Sequence, residues 1–472
     1  MITPTIKEAK IRTSSKANIL TCDYNLSEDL KNLGTNKLYY IRTYGCQMNE
    51  HDSENMAAIL ESMNFSSCDN YLEADVIILN TCSIRENAHN KAFGMLGRLK
   101  NLKSKKNIIV GLAGCMSQEE SVVNKVIEKY KWLDFVIGTH NIHRLPDVLR
   151  TAMTSSNQTI EVWSKEGDII EGIPAKRASI YKAWVNIMYG CDKFCTYCVV
   201  PMTRGKQRSR LSVDIVKEVQ ELKESGYKEV TLLGQNVNAY GKDLDDNSNM
   251  ASLLTSIAKT NIDRIRFVTS HPWDFTSEMI DVIKNNSNIM PYIHLPVQSG
   301  SNKILKLMGR RYTKESYLNL INDIKKKIPN VSITTDIIVG FPGETKEDFL
   351  ETLDLYKVCK FDLAYTFIFS AREGTSAALM EDNITLEEKE NRLKTLNKLV
   401  NEYALINNKK LEGKNVSVLI EGISDKDPSK LTGYTDTSKL VNIKGSSNHI
   451  GSEVNVKIEK AKTWSLDGVI NE

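Results

Sequence analysis

Short apolar runs alternate with amphipathic stretches along the first third of the chain. Four buried strands are expected, at 37–43, 75–80, 108–113 and 133–138. Three helices are expected between them, near 52–63, 86–103 and 118–130. Strands that alternate with helices form a parallel sheet with helices on both faces. The pattern therefore predicts an α/β domain at 37–150, preceded at 1–36 by a polar extension that we expect to be loosely held.

The middle of the chain repeats the same rhythm after a linker with some strand content at 151–178. Strands are expected at 183–188, 229–234, 264–269, 292–297, 332–339 and 363–369. Helices are expected near 213–225, 250–259, 276–286, 301–308, 314–327 and 346–358. Such βα units predict a partial (β/α)6 barrel over 179–385, open on one side. Active sites of such barrels gather at the carboxyl ends of the strands.

The hydrophobic period changes again near the end of the chain. Residues 386–410 read as one amphipathic helix that connects two domains. From 411 to 472 short alternating strands and turns predict a small β-barrel. The predicted fold class is thus α/β, with an N-terminal parallel α/β domain, a central partial barrel and a small C-terminal β-barrel.

Composition adds limits to this picture. The chain has 472 residues, 41% of them hydrophobic and 26% charged, with a net charge of +3, so bulk charge does not indicate nucleic acid. Nine cysteines are too few for a disulfide scaffold of this size and indicate a reducing compartment. The first residues lack an apolar core of signal-peptide length, and no apolar run is long enough to span a bilayer. We expect a cytoplasmic protein without a membrane segment.

The most informative motif is CDKFCTYC, which places thiols at Cys191, Cys195 and Cys198 directly after the first strand of the central domain. Iron–sulfur clusters are normally held by four thiolates, so three leave one iron open. A structural zinc site needs four ligands, and no His lies between 190 and 210 to complete one. We predict a three-thiolate 4Fe–4S cluster. Zinc with a distant ligand, or a chance grouping of buried cysteines, are the alternatives.

Three further cysteines follow successive strands of the N-terminal domain. Cys46, Cys82 and Cys115 each come within two or three residues of a strand's end. In a parallel sheet those ends lie on one edge, where ligands of open α/β sheets bind. We expect the fold to bring the three thiols together, although three ordinary buried cysteines would also fit. Nearby polar residues are expected to cap the helix after Cys46, with a direct role in chemistry as the alternative: Asn49, Asp52 and Ser53.

Glycine-rich or polar segments follow other strands of the central domain, at 234–241, 298–301 and 340–345. Glycine lets backbone N–H groups approach a ligand, and helix starts favour anionic groups, although turn formation alone explains each segment. A basic run follows the Cys191 motif and contains Arg204, Lys206, Arg208 and Arg210. We interpret this run as a contact for RNA phosphates. A solvated basic face, or one Arg that neutralises a cluster or a carboxylate, are the alternatives.

These motifs together resemble a known enzyme family. The C-x₃-C-x₂-C spacing, with Tyr197 before the last cysteine, resembles the radical S-adenosylmethionine (SAM) enzymes. The contexts TYGCQMN, NTCSIRENA and GCMSQ resemble their methylthiotransferase branch. The resemblance implies SAM chelated at the open iron of the Cys191 cluster, and a second 4Fe–4S cluster on Cys46, Cys82 and Cys115. It also implies SAM contacts at Tyr197, Gly234, Gln235, Asn236, Gln298, Ser299, Gly340, Gly343 and Glu344.

The C-terminal segment LTGYTDTSKLVNIKG resembles the TRAM domain, a small β-barrel that binds RNA. Between 411 and 472 there are 8 Lys against 9 Asp or Glu, so any affinity for RNA must come from local placement of charge. A barrel that caps the protein without contacting RNA is the alternative. Cys22, Cys68 and Cys359 match none of these motifs, and we interpret them as structural or incidental.

Within the methylthiotransferases, the runs TLLGQNVNAYGKD and HLPVQSGSNKILKLMGRRYT most resemble the branch that modifies isopentenyladenosine in tRNA. This resemblance implies 2-methylthiolation beside the anticodon, with SAM as both methyl donor and radical source. It implies a tRNA partner and an electron donor of the flavodoxin or ferredoxin type, and we expect a monomer. The alternatives are methylthiolation of threonylcarbamoyladenosine in tRNA or of a ribosomal protein. A non-catalytic iron–sulfur protein that binds RNA or carries electrons is a further alternative, and it leaves the open iron unexplained.

Overall fold

A computed structural model of the chain describes residues 18–21, 26–83, 86–155, 157–163 and 169–471. These residues form two compact units. The first comprises residues up to 178 together with 186–210 and 371–378, and the second comprises 179–185, 211–370 and the residues from 379 onward. Most of the predicted N-terminal extension, with Cys22, lies outside the described residues. Within the described part of the chain, no helix is long and apolar enough to cross a membrane.

The first unit is built on a six-stranded sheet in which all neighbouring strands run parallel. In spatial order the strands are Ser66–Ser67, Leu38–Tyr44, Val76–Thr81, Ile109–Gly114, Phe135–Ile137 and Thr159–Glu161. The main helices are Gln47–Ser62, Glu86–Lys103, Glu120–Lys129 and Leu145–Thr154. The four predicted strands and three predicted helices all form, so the α/β prediction is confirmed. The outermost strand Ser66–Ser67 was not expected, whereas Thr159–Glu161 lies in the linker 151–178, where some strand content was expected.

The core of this unit lies on both faces of the sheet. The strand Val76–Thr81 is buried along its whole length, as is typical of a central parallel strand. Its side chains alternate between the faces, so that Ile77 packs in one hydrophobic cluster and Ile78 in the other. The carboxyl ends of these strands consequently meet at one edge of a rigid sheet.

Residues of the expected extension and linker form small elements of their own. The strand Ile19–Thr21 pairs in parallel with Ile169–Glu171, and a short helix spans Glu28–Lys31.

The second unit contains the six predicted strands in chain order: Lys182–Asn186, Glu229–Leu233, Arg264–Phe267, Tyr292–His294, Ser332–Val339 and Leu363–Ile368. They form two three-stranded sheets. Parallel pairing joins Glu229–Leu233 to Arg264–Phe267 in one sheet, and joins Ser332–Val339 to both Tyr292–His294 and Leu363–Ile368 in the other. A parallel bridge from Ile265 to Ile289 lies between the two sheets. The accompanying helices are Ser212–Glu224, Met250–Ala258, Ser277–Asn285, Asn302–Leu307, Lys314–Lys327 and Lys346–Cys359. The predicted βα succession is confirmed.

The connecting helix and the terminal barrel are confirmed as well. The helix is Leu386–Lys409, and five strands close a barrel: Asn415–Ser424, Asp427–Thr435, Leu440–Lys444, Glu453–Ala461 and Leu466–Ile470. The barrel is attached at the amino ends of the parallel strands. Arg266 donates hydrogen bonds to the carbonyl oxygens of Thr435 and Asp436, at 2.7 and 2.8 Å, and to Glu229 at 2.8 Å. This attachment leaves the carboxyl ends of the strands for the candidate site.

Candidate active site

The Cys191 motif lies in a loop that a small hairpin closes. Met188–Tyr189 pairs antiparallel with Arg208–Ser209, and the N–H of Cys191 donates to the carbonyl of Gly205 at 3.2 Å. Gly190 has a φ of +72°, and a Cβ at this position would collide with the carbonyl of Lys206. Because a positive φ and close backbone contact both favour glycine, Gly190 is required for the turn that presents the cysteines.

The three thiols of this loop lie close enough to influence one another. Burial raises the pKa of the Cys191 thiol, and the charges of Cys198 and Cys195 raise it further. Thiolates crowded in a buried site need a cation, and a coordinated metal deprotonates its thiol ligands outright. Cys191, Cys195 and Cys198 therefore fit a cationic iron cluster by the chemistry of their donor atoms. Tyr197 is half-buried within the same loop.

The second set of cysteines meets at the edge of the six-stranded sheet. Cys46, Cys82 and Cys115 each follow a parallel strand within two residues. A hydrogen bond from the Cys82 thiol lowers the pKa of Cys46 to about 6, against the effect of burial. Burial raises the pKa of Cys115, and the nearby Arg204 guanidinium opposes that rise. The structure brings the three side chains together, and this donor set also fits an iron–sulfur cluster.

Among the residues that the structure describes, no group of three or more His, Cys, Asp or Glu side chains is arranged to hold a single metal ion. The fit of both cysteine sets to an inorganic group thus rests on their donor atoms and surroundings, and their role as ligands stays a prediction. Cys68, outside both sets, lies near the carbonyl oxygens of Tyr39 and Asn70, and Cys359 is buried in the core.

The prediction that Asn49, Asp52 and Ser53 cap the helix is wrong. The helix Gln47–Ser62 begins directly after Cys46, so these residues lie inside it, and Cys46 itself occupies the N-cap without a side-chain cap hydrogen bond. Asn49 instead donates to Asn80 at 3.2 Å and approaches the Cys115 sulfur at 4.0 Å. Asn80 donates to Ser53 at 2.8 Å. These polar residues therefore tie the helix to the strand ends that carry the cysteines.

Sequence spacing contained a signal for this arrangement. Asn49, Asp52 and Ser53 lie three, six and seven residues after Cys46, which places them on one face of the helix with it.

Arg204 joins the two cysteine sets within the first unit. It follows the Cys191 loop in sequence, and its Nε donates to the Cys115 sulfur at 3.1 Å. Its two terminal nitrogens form a bidentate pair with Asp52 at 3.3 and 2.5 Å. Burial opposes the charged form, but Asp52 and Cys115 hold the pKa of Arg204 well above its usual value. This guanidinium supplies a fixed positive charge and an N–H donor to a predicted cluster ligand.

All four side chains of the basic run are buried, with exposed fractions of 4 to 8% for Arg204, Lys206, Arg208 and Arg210. Arg210 forms a bidentate pair with Glu171 at 2.5 and 2.7 Å. Arg208 donates to the Arg204 carbonyl at 3.1 Å. Contact with RNA phosphates stays a prediction for this run. The ion pairs give Arg204 and Arg210 an internal role, and Arg204 fits the alternative in which one arginine neutralises a cluster.

The polar segments of the second unit lie at the carboxyl ends of its strands, where a ligand was expected. After Glu229–Leu233, the side-chain oxygens of Gln235 and Asn236 are buried without a hydrogen-bond partner among the described residues. The same holds for the side-chain oxygen of Gln298, after Tyr292–His294. Gln298 has a φ of +73° and is held by backbone hydrogen bonds to Asp336 and Ile338.

Because buried polar groups are nearly always satisfied, such atoms indicate a missing polar ligand. The amino and hydroxyl groups of SAM could donate hydrogen bonds to these amide oxygens, so these residues fit that molecule. Gly234 is buried in the same turn.

The third predicted SAM segment is held by the connecting helix. Glu344 accepts hydrogen bonds from the Gly340 N–H and from Arg392, both at 2.7 Å, and burial raises its pKa. Gly340 and Gly343 have φ values of +69° and +82°. Ser299 is fully buried beside Thr352. The ion pair with Arg392 was missed by sequence reasoning, and SAM contact at these four positions stays a prediction.

Replacing Gly190 with Ala is expected to prevent assembly of the Cys191 loop. The added Cβ suffers the left-handed penalty, about 1–2 kcal/mol, and also collides with the Lys206 carbonyl. Gly226→Ala is the matched control, because Gly226 has a φ of +90° but open space around the added Cβ. Iron content per chain and the midpoint of thermal unfolding should fall clearly more for Gly190→Ala. Equal losses in the two variants would contradict this role of the turn.

Comparison with known proteins agrees with this architecture. The model of the radical SAM superfamily matches residues 185–356, that of the uncharacterized protein family UPF0004 matches 38–138, and that of the TRAM domain matches 409–470. Among solved structures, the radical S-adenosylmethionine methyltransferase TsrM from Kitasatospora setae superposes with a TM-score of 0.51. The match covers 72% of this chain and 77% of that chain at 13% identity, and it shows the fold alone.

Relatives of high identity cover nearly the whole chain. The tRNA-2-methylthio-N(6)-dimethylallyladenosine synthase of Bacillus cytotoxicus is 56% identical over 471 residues, which are 99% of this chain and 92% of the relative. The protein of the same name from Bacillus subtilis is 55% identical over 469 residues, with the same coverage. Radical SAM membership implies SAM and a 4Fe–4S cluster. The chain belongs to the radical SAM methylthiotransferases, in the branch of the tRNA-2-methylthio-N(6)-dimethylallyladenosine synthases.

Proposed function

We propose that this enzyme converts isopentenyladenosine beside the anticodon of tRNA to its 2-methylthio derivative, using two 4Fe–4S clusters and two molecules of SAM. The observation that carries the proposal is the presence of two separate sets of three thiols in one unit. A single set would suffice for a radical SAM cluster, so the second set calls for a second inorganic group.

The reaction replaces an unactivated aromatic C–H bond by C–S–CH₃, which acid–base side chains cannot achieve. When bound, the clusters and SAM supply the carbon radical and the sulfur and methyl groups that this replacement requires. Cys191, Cys195 and Cys198 would hold the cluster that binds SAM, and Cys46, Cys82 and Cys115 the auxiliary cluster. The remaining task of the chain is to orient these groups and to exclude water.

Two sets of polar groups of this chain have defined roles in the proposal. The amide oxygens of Gln235, Asn236 and Gln298, which have no partner among the described residues, would accept hydrogen bonds from the amino and hydroxyl groups of SAM. Arg204 would hold Cys115 in place through its hydrogen bond and its ion pair with Asp52. Both roles follow from the cost of burial. A buried amide oxygen needs a hydrogen-bond donor, and the buried charge of Arg204 needs the opposite charge of Asp52.

The partners follow from the same reaction. The substrate is tRNA that already carries isopentenyladenosine, with the target base unpaired and turned outward from its loop. The C-terminal barrel would contribute RNA affinity through local charge. Electrons would come from a flavodoxin- or ferredoxin-type donor, and we propose a cytoplasmic monomer.

Nucleoside mass spectrometry of tRNA tests the proposal. In cells that lack this protein, methylthio-isopentenyladenosine should disappear and isopentenyladenosine should accumulate. The wild-type chain should restore the modification, whereas Cys191→Ala and Cys82→Ala should not. Unchanged nucleosides would overturn the tRNA assignment. A loss of methylthio-threonylcarbamoyladenosine, or of methylthiolation on a ribosomal protein, would identify the alternative substrates instead.

A further inference from the structure

A polar cleft of about 710 Å³ lies on the first unit, directly beside the auxiliary cysteines. One wall is the end of the strand Leu38–Tyr44, with Arg42 and Tyr44, and the wall continues to Gly45, next to Cys46. The other wall is the helix Glu86–Lys103, which contributes Lys91, Gly94 and Arg98. None of the predicted cluster ligands and none of the four cations of the basic run after Cys198 lines this cleft.

The charge of the cleft is predominantly positive. Arg42, Lys91 and Arg98 are exposed, and within the described part of the chain none of them forms a salt bridge, although Arg42 lies close enough to Glu50 for their charges to interact. Glu50 is the acidic residue of the lining. Lys91 and Arg98 are seven residues apart on one helix face, which separates their Cα atoms by about 10 Å. Cations so spaced match several phosphates along a strand better than one isolated phosphate.

Two glycines of the same helix provide an independent observation. Gly94 faces the cleft and Gly97 is exposed one turn further on, and a Cβ added at either position would meet no atom of the described residues within 4 Å. Neither residue has the positive φ that requires glycine. Glycine in a helix interior is destabilising relative to alanine. Packing among the described residues of this unit gives no reason for the cost of these glycines, whereas close approach of a partner's backbone does.

We propose that this cleft binds the sugar–phosphate backbone of the RNA substrate, beside the nucleotide that is presented to the auxiliary cluster. The inference rests on the proposed function for the identity of the substrate. The three cations neutralise phosphates, and Gly94 lets the backbone approach the helix. The cleft thereby positions the RNA next to Cys46, whereas the target base itself is recognised elsewhere.

Binding of isopentenylated tRNA to the reconstituted full-length protein tests this inference without requiring chemistry. Lys91→Ala combined with Arg98→Ala is expected to weaken binding about 10-fold or more, and to reduce the slope of log affinity against log salt by about 2. Iron content should stay at the wild-type level. Lys100→Ala is the matched control, because Lys100 is exposed on the same helix but does not line the cleft.

Gly94→Ala provides a second test that unfolding cannot imitate. The substitution is expected to raise the midpoint of thermal unfolding slightly while it weakens tRNA binding several-fold. A more stable variant that binds tRNA like the wild type would overturn the inference, as would a double variant with unchanged affinity and salt slope. If the wild-type protein fails to bind the tRNA at all, the proposed function falls together with the cleft.

Discussion

Replacing Cys191 with Ala is expected to remove one of two iron–sulfur clusters and to abolish methylthiolation of tRNA. Two remaining thiols cannot hold a cluster that three normally anchor, and the open site for SAM disappears with it. After anaerobic reconstitution, iron and sulfide per chain should fall to roughly half of the wild-type values. Cys82→Ala should cause the same loss from the other set, and the double variant should retain almost none.

Cys68→Ser is the control for this experiment. Its thiol is half-buried, donates to the carbonyl oxygens of Tyr39 and Asn70 at 3.4 and 3.5 Å, and belongs to neither cysteine set, so the variant should keep both clusters and full activity. Wild-type iron content in Cys191→Ala would refute the assignment of that set. If the double variant lost no more iron than either single variant, the two sets would serve one group.

Arg204→Ala is expected to destabilise the first unit and to change the auxiliary cluster. Removal of the guanidinium leaves Asp52 buried without its partner, and breaking such a pair typically costs about 3–5 kcal/mol. Loss of a positive charge and of an N–H donor to the Cys115 sulfur should also make the reduction potential of the cluster more negative. The potential is best measured in the Cys191→Ala background, where only the auxiliary cluster remains.

Two companion variants separate the structural and electronic roles of Arg204. Arg204→Lys keeps the charge but cannot reach Cys115 and both Asp52 oxygens at once, so an intermediate potential is expected. Arg150→Ala removes an exposed arginine that pairs with Asp147 and Asp29, and such surface pairs contribute at most about 1 kcal/mol. If Arg204→Ala matched Arg150→Ala in thermal stability and in potential, Arg204 would have neither role.

The regular elements were predictable because their signals are local. The helix Lys314–Lys327 and the strand Ser332–Val339 form at the predicted residues. Thr313 caps that helix in a capping box with Ser316, and the apolar run after it has the length of a buried strand. Hydrophobic period and capping chemistry are read within a few residues of one another, so such elements need no tertiary information.

The errors concern polar residues whose partners are distant in sequence. Asn49, Asp52 and Ser53 have the residue types of helix caps, and nothing local distinguishes that role from a buried network with Asn80 and Arg204. The basic run after Cys198 has the composition of a solvated face. Arg204 and Arg210 are nevertheless buried, because each forms an ion pair with a carboxylate, Asp52 or Glu171. These carboxylates lie 152 and 39 residues away along the chain, so no local pattern reveals the pairing.

The sequence by itself determined the order of strands and helices, the change from βα units to a C-terminal β-barrel, and the positions of Cys46, Cys82, Cys115 and Cys191 after strand ends. These features follow from periodicity, turn residues and spacing, which act over short distances along the chain. Only the tertiary structure decided which charges are internal, which glycines face open space, and that Arg392 holds Glu344. Ion pairing and burial depend on contacts between residues far apart in sequence. The residues that flank a charged side chain therefore do not predict which partner it will bind.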